Sequence, residues 1–165
     1  MYNNQFDALE YFKTIAEHNR LAMDNRFKVC FCSGIDGAEG VMAQFQNTAN
    51  FIMIDDITSG ATRETPDGFY EKNTYTVFVF ARYKVFDMAS YNESMRLCRR
   101  IFHQLVSRII HDQDNGTEGL GDIKMDNILS TEFGRDSFTG MTGLMFHIDN
   151  DEPTDLVYDE SEWDG

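Results

Sequence analysis

The chain has 165 residues, of which 28 are acidic and 14 basic, for a formal charge of −14. That length suits one domain able to bury ~70% of its unfolded surface without staples. An apolar fraction of 42% excludes a disordered chain, and the negative charge argues against a protein that grips phosphate backbones.

Three cysteines make no disulfide framework, and Cys30 and Cys32 fall on the same side of a strand. No apolar run is long enough to cross a membrane, and the first twenty residues lack a basic-then-apolar leader. The expectation is a protein made in a reducing cytosol, with no membrane partner.

Near the N-terminus, Phe6, Leu9, Phe12 and Ile15 recur at three-residue steps, predicting an amphipathic helix opened by Asn3 or Asn4 and ending near His18 to Arg20. Arg26 to Cys32 alternates and predicts a strand stopping at Ser33-Gly34. Gly34, Gly37 and Gly40 weaken any helix after it, so Ile35 to Asn50 reads as a loop with at most a short helix over Val41 to Phe45.

Phe51 to Ile57 predicts a second strand. Thr58 to Gly68 follows as a polar excursion with a turn at Pro66-Asp67-Gly68. The long strand Tyr75 to Lys84 places Tyr75, Val77, Val79, Ala81 and Tyr83 on one side and Thr76, Phe78, Phe80 and Arg82 on the other, as in a strand covered on both faces. Together these stretches predict an extended antiparallel hairpin whose tip leaves the body.

After Asp87 the period changes from two to three and four. Leu97, Cys98, Ile101, Phe102, Leu105, Val106, Ile109 and Ile110 form a broad apolar stripe, predicting a helix of ~25 residues, ~37 Å long, that ends at Asn115-Gly116. Its start is marked by Asp87 or by the capping box Ser90-x-x-Glu93. Arg96, Arg99, Arg100 and Arg108 gather on its polar side.

A flexible link over Asp114 to Gly121 precedes a strand at Ile123 to Thr131, a turn-rich link at Glu132 to Thr139, and a last strand at Gly140 to Ile148. Gly143 within that strand marks a bulge or a close backbone approach. Pro153 then stops regular structure. Residues 149–165 read as an acidic arm with eight carboxylates, no Lys or Arg, and a small apolar grip in Leu156, Val157 and Tyr158. The fold expected is α+β, residues 1–148 forming a single domain: a mainly antiparallel sheet with a long hairpin and two amphipathic helices packed on one face.

Catalytic signatures are absent: no Gly-x-x-x-x-Gly-Lys, no Gly-x-Ser-x-Gly, no His-Glu-x-x-His and no Cys-x-x-Cys. Asp149, Asp151, Asp155 and Glu160 fit part of a calcium-loop frame, but Pro153 and Thr154 occupy a ligand and the turn glycine, so a solvated acidic tail is the better reading. The histidines have no ligand spacing, and adjacent Asp55 and Asp56 point to opposite faces of a strand. No cofactor and no metal are called for.

The order of elements resembles the tail-terminator and neck (head–tail connector) proteins of tailed bacteriophages: an N-terminal helix, long strands with a protruding loop over Phe51 to Lys84, a packed helix over Asp87 to Asp114, and the terminal strand Gly140-Met-Thr-Gly-Leu-Met-Phe-His-Ile148. The resemblance is one of pattern over most of residues 1–150. It implies a virion subunit in a ring of six or twelve copies, with portal, neck or tail proteins as neighbours and DNA only as passing cargo. Under that reading the interface residues are Arg63 and Phe69 at the hairpin, Arg96, Arg99, Arg100 and Arg108 on the long helix, and Leu156, Val157 and Tyr158 in the arm. Two other classes stay open. One is a small soluble binding module or regulator that uses the Arg-rich helix; the other is an enzyme assembled from Asp55, Asp56, His147 and the acidic arm.

Overall fold

The computed structural model describes residues 6–165. Its elements run α1 (Ala8–Glu17), α2 (Arg20–Asp24), β1 (Phe27–Cys32), α3 (Gly34–Gln44), β2 (Asn50–Asp55), β3 (Ser59–Thr65), β4 (Gly68–Arg82), α4 (Met88–Asp114), β5 (Ile123–Lys124), β6 (Ser130–Phe138) and β7 (Met141–Thr154). This is an α+β fold on one mostly antiparallel sheet.

The sheet runs β1-β2-β4-β7-β5, with β3 continuing the edge of β4 beyond β2 and β6 pairing the inner part of β7. β4 is its centre because its alternation is apolar on both sides. Val77, Val79 and Ala81 face α1 and α4, in a core with Phe12, Ile15, Cys98, Ile101, Leu105 and Ile109. Phe78 and Phe80 face the opposite way, into a second core with Ala38, Met42 and Met141. Phe80 is fully buried, its ring 5.5 Å from that of Phe133 and 5.4 Å from that of Phe138.

The long helix follows its apolar stripe. Asp87 caps it by accepting a hydrogen bond from Ser90 N, and it covers 27 residues. Ser94 Oγ donates to Arg82 O at 2.7 Å, tying the first turns of α4 to the end of β4. The first helix is capped by Asp7, whose carboxylate accepts from Glu10 N; Asn3 and Asn4, expected as its cap, lie outside the described residues.

Several stretches differ from expectation. The glycine-rich segment forms α3, because β1 and β2 are parallel and such strands are joined by a crossover over the sheet. Ala38 and Met42, one turn apart, bury against the second core, so helices cover both faces of the sheet and not one alone. The polar stretch Ser130 to Phe138 is a strand whose Phe133 and Phe138 close that core, where a turn-rich link was expected from Glu132 to Thr139, while the strand expected over Ile123 to Thr131 keeps only Ile123–Lys124 as β5 before β6 begins at Ser130. Last, β7 runs past the boundary expected at Ile148: Asp149, Asp151 and Glu152 pair with Thr74, Lys72 and Glu71, and Pro153 lies beside Tyr70. β5 pairs with β7 at Asp149 and Asn150, but at Pro153 β7 has no partner on its other side among the described residues, the edge setting in which a missing N–H is tolerated.

Gly143 fulfils the close approach expected of it. Its φ is +152°, and a Cβ there would lie 1.9 Å from Val79 O, so a side chain would push β7 off β4.

Candidate assembly interface

Beyond the helices, β3, the outer half of β4 and the outer half of β7 form a three-stranded blade. None of residues 69–73 belongs to either core cluster, and β3 is exposed along nearly its whole length. A two-residue turn, Pro66-Asp67, closes the hairpin, since Thr65 pairs with Gly68.

Cross-strand polar pairs hold one face of the blade. Arg63 donates from both terminal nitrogens to the two Asp151 oxygens at 2.7 Å each, and its guanidinium sits 5.2 Å from the Tyr70 ring. That hydrogen-bonded cation holds the Asp151 carboxyl below its ordinary range. Lys72 pairs with Asp149 at 3.3 Å, Thr74 Oγ1 donates to Asp149 at 2.6 Å, and Thr76 Oγ1 lies 2.9 Å from His147 Nδ1. The last two pairs edge a cleft of about 230 Å³ that also touches Ser59 and Leu129. Arg63 is therefore satisfied within its own chain. Phe69, on the opposite face of the blade, is partly exposed.

The four arginines of α4 separate into two classes. Arg99 pairs with Glu132 of β6, and Arg108 with Asp112 one turn on at 2.9 Å. Asp112 also accepts from Tyr11 Oη at 2.8 Å, which ties the end of α4 to α1. Burial works against ionisation of Asp112, but the Tyr11 hydroxyl and the Arg108 guanidinium outweigh it and hold the carboxyl below its usual value. Arg96 and Arg100 make no ion pair among the described residues. Both line a cleft of about 240 Å³ with Glu93 and Leu97 of α4 and with Leu21 and Asn25 at α2.

The arm beyond Thr154 is exposed throughout, including Leu156, Val157, Tyr158 and Trp163. It is locally built all the same. Asp155 accepts from Val157 N, Asp159 accepts from Ser161 N and Oγ, and Glu160–Glu162 form a single 3₁₀ turn. That turn stacks Tyr158 on Trp163, with ring centroids 6.1 Å apart.

The chain matches no protein-family model and no curated protein.

The residues proposed for an enzyme do not converge into one site. Asp55 accepts from Gly34 N and Ile57 N, and Asp56 from Ser33 Oγ, so both carboxylates serve the start of α3. His147 meets Thr76 on the blade. The partial calcium frame is split between strand β7, where Asp149 and Asp151 bind Lys72 and Arg63, and the free arm. Among the described residues no three potential ligands lie close enough to hold a metal ion. Burial pushes the Cys32 and Cys98 thiols up to about 12, so both are neutral at physiological pH.

One surface feature carries no signal in the sequence. Val85, Phe86 and Met88, in the turn from β4 to α4, are exposed, and Phe86 is 102% accessible with a φ of +68°. A bulky residue held in the left-handed region with its ring in solvent costs free energy in an isolated chain. Nothing in its neighbours' spacing distinguishes it from a buried phenylalanine.

Proposed function

We propose that the chain is a structural subunit that closes into a ring in the neck or tail of a tailed bacteriophage. There it joins portal and head to tail, or ends the tail tube, and leaves a channel for DNA. The blade is the observation that carries this reading: strands that extend well past their own helices leave two faces and an edge for neighbours. The exposed apolar arm and the strained Phe86 turn support it, because both cost free energy in solution and gain it at an interface. A charge of −14 suits a wall past which phosphate slides without adhering.

Light scattering across a concentration series, with negative-stain images of the heavy fraction, tests the proposal. Closed rings of one copy number are the expected result. A species that stays monomeric from micromolar to millimolar concentration, and also when mixed with portal or tail tubes, would overturn it. It would favour the alternative of a monomeric binding module.

A further inference from the structure

We propose that the cleft between α2 and α4 receives the C-terminal arm of a second copy, with Arg96 and Arg100 holding its acidic aromatic tip. The inference rests on the ring reading and names the contact that would join neighbours.

The tip is preformed and unpartnered. Every hydrogen bond made by residues 155–163 stays inside the arm among the described residues, yet the 3₁₀ turn fixes Tyr158 on Trp163 in the open. Stacked, rigid aromatic side chains are the type that anchors interfaces, since little rotamer freedom remains to be lost on binding. Around them stand Asp155, Asp159, Glu160, Glu162 and Asp164, without a single Lys or Arg.

The cleft has the complementary chemistry. Leu21 and Leu97 supply its apolar lining, and the two arginines bring cationic planes that stack on aromatic rings and bind carboxylates in pairs. Glu93 is its one carboxylate and pairs with neither arginine. A larger groove, about 640 Å³, lies between α3 and the β6–β7 turn, but among the described residues Arg82 is its only cation and is already bonded to Thr48 O at 2.9 Å. Charge therefore selects the smaller cleft.

Geometry favours an arm from another chain. Asn25 lies at the end of the sheet where β7 begins: Asn50 donates to its carbonyl, and Asn50, Ala81 and Thr142 lie side by side in register. The arm departs from Thr154, twelve residues along β7, roughly 41 Å away at ~3.4 Å per residue. The Arg100 side of the cleft is nearer, since the Phe102 ring two residues on meets Phe146, about eight residues or ~27 Å along β7 from Thr154. Trp163 lies nine residues beyond Thr154 and reaches ~32 Å only with its 3₁₀ turn pulled out, so the preformed tip falls short of its own cleft. Cleft and tip thus sit at opposite ends of each subunit, the head-to-tail arrangement that propagates from copy to copy and closes when the rotation allows.

The test uses the full-length chain with Glu93→Cys and Val157→Cys, both at exposed positions. Mild oxidation should give a ladder of disulfide-linked oligomers at least tenfold above either single variant. Ala43→Cys with Val157→Cys, which reports on the larger groove, should give none. Arg96→Glu with Arg100→Glu in the first background should lower the linked yield at least tenfold. Linkage to position 43 instead, a link within one chain, or no linkage would overturn the proposal. Particle mass separates the two readings: rings that persist without the link leave the ring and remove this contact, whereas monomers without the link remove both.

Discussion

Residues 77–81 of β4 are buried on both faces, whereas residues 69–74 of the same strand stand outside the helices with polar side chains paired across the sheet. The inner half is held by apolar burial, which is non-directional and tolerates little loss of volume. The outer half is held by a backbone ladder and by pairs such as Arg63–Asp151 and Thr74–Asp149, which fix register but contribute little net stability at a solvated surface. One continuous strand can therefore anchor a core and also carry an exposed blade whose losses the core does not feel.

The strongest way to break that contrast is Phe80→Ala. It empties a site enclosed by Phe78, Phe133 and Phe138 and should cost about 3–5 kcal/mol in urea unfolding. A cost below about 1 kcal/mol would mean that the second core is not packed as described. Gly143→Ala comes next, since the new methyl collides with the Val79 carbonyl, and about 2 kcal/mol or more should be lost. Tyr11→Phe removes one half-buried hydrogen bond to Asp112 and should cost about 1 kcal/mol.

On the blade the expected effects are local. Asp151→Asn should leave the melting temperature of the body nearly unchanged while amide exchange in β3 quickens; equal quickening in β2 would mean that the two halves unfold together. On the body, the carboxyls of Glu132 and Asp112 are held below their ordinary values, by Arg99 and by Tyr11 with Arg108. A lowered folded value contributes stability above the unfolded value of ~4, and that stability is lost as pH falls through the folded one. Melting should accordingly be flat from pH 7 to about 5 and fall below about 4, and Asp112→Asn should make that acid limb shallower. Smallest of all, deleting residues 155–165 should not move the melting temperature of the monomer at low concentration, because no described hydrogen bond joins the arm to its own body.

Elements with strong periodicity were legible from residues alone. The double-sided alternation of β4 and the apolar stripe of α4 with its Asp87 cap each encode their own burial, whereas β1 is a strand as its alternation predicts but exposes Phe31 and buries Cys32. The close approach at Gly143 was readable too, because a glycine inside an apolar strand has few other uses. The segments misread are those whose structure depends on a distant partner. The glycines of α3 oppose a helix, yet the parallel pairing of β1 with β2 and a cap from Asp55 at the end of β2 supply what propensity lacks. The stretch Ser130 to Phe138 is polar and becomes a strand because β7 lies beside it. Asp149 to Thr154 looked like the start of a solvated arm, but the outer half of β4 provides a ladder for it, with Arg63 and Lys72 for its acids.

The same division holds for the candidate surfaces. Composition and periodicity by themselves determined that α4 bears a row of arginines, that the chain ends in acid with a few apolar residues, and that a long strand reaches beyond the core. Tertiary structure alone decided which of those arginines are already satisfied, because Glu132 and Asp112 reach Arg99 and Arg108 while among the described residues no carboxylate pairs with Arg96 or Arg100. It also placed cleft and arm at opposite ends of β7. The physical reason is one of range: periodicity reports which side of an element seeks water, whereas partners and distances are set by contacts between residues far apart in the chain.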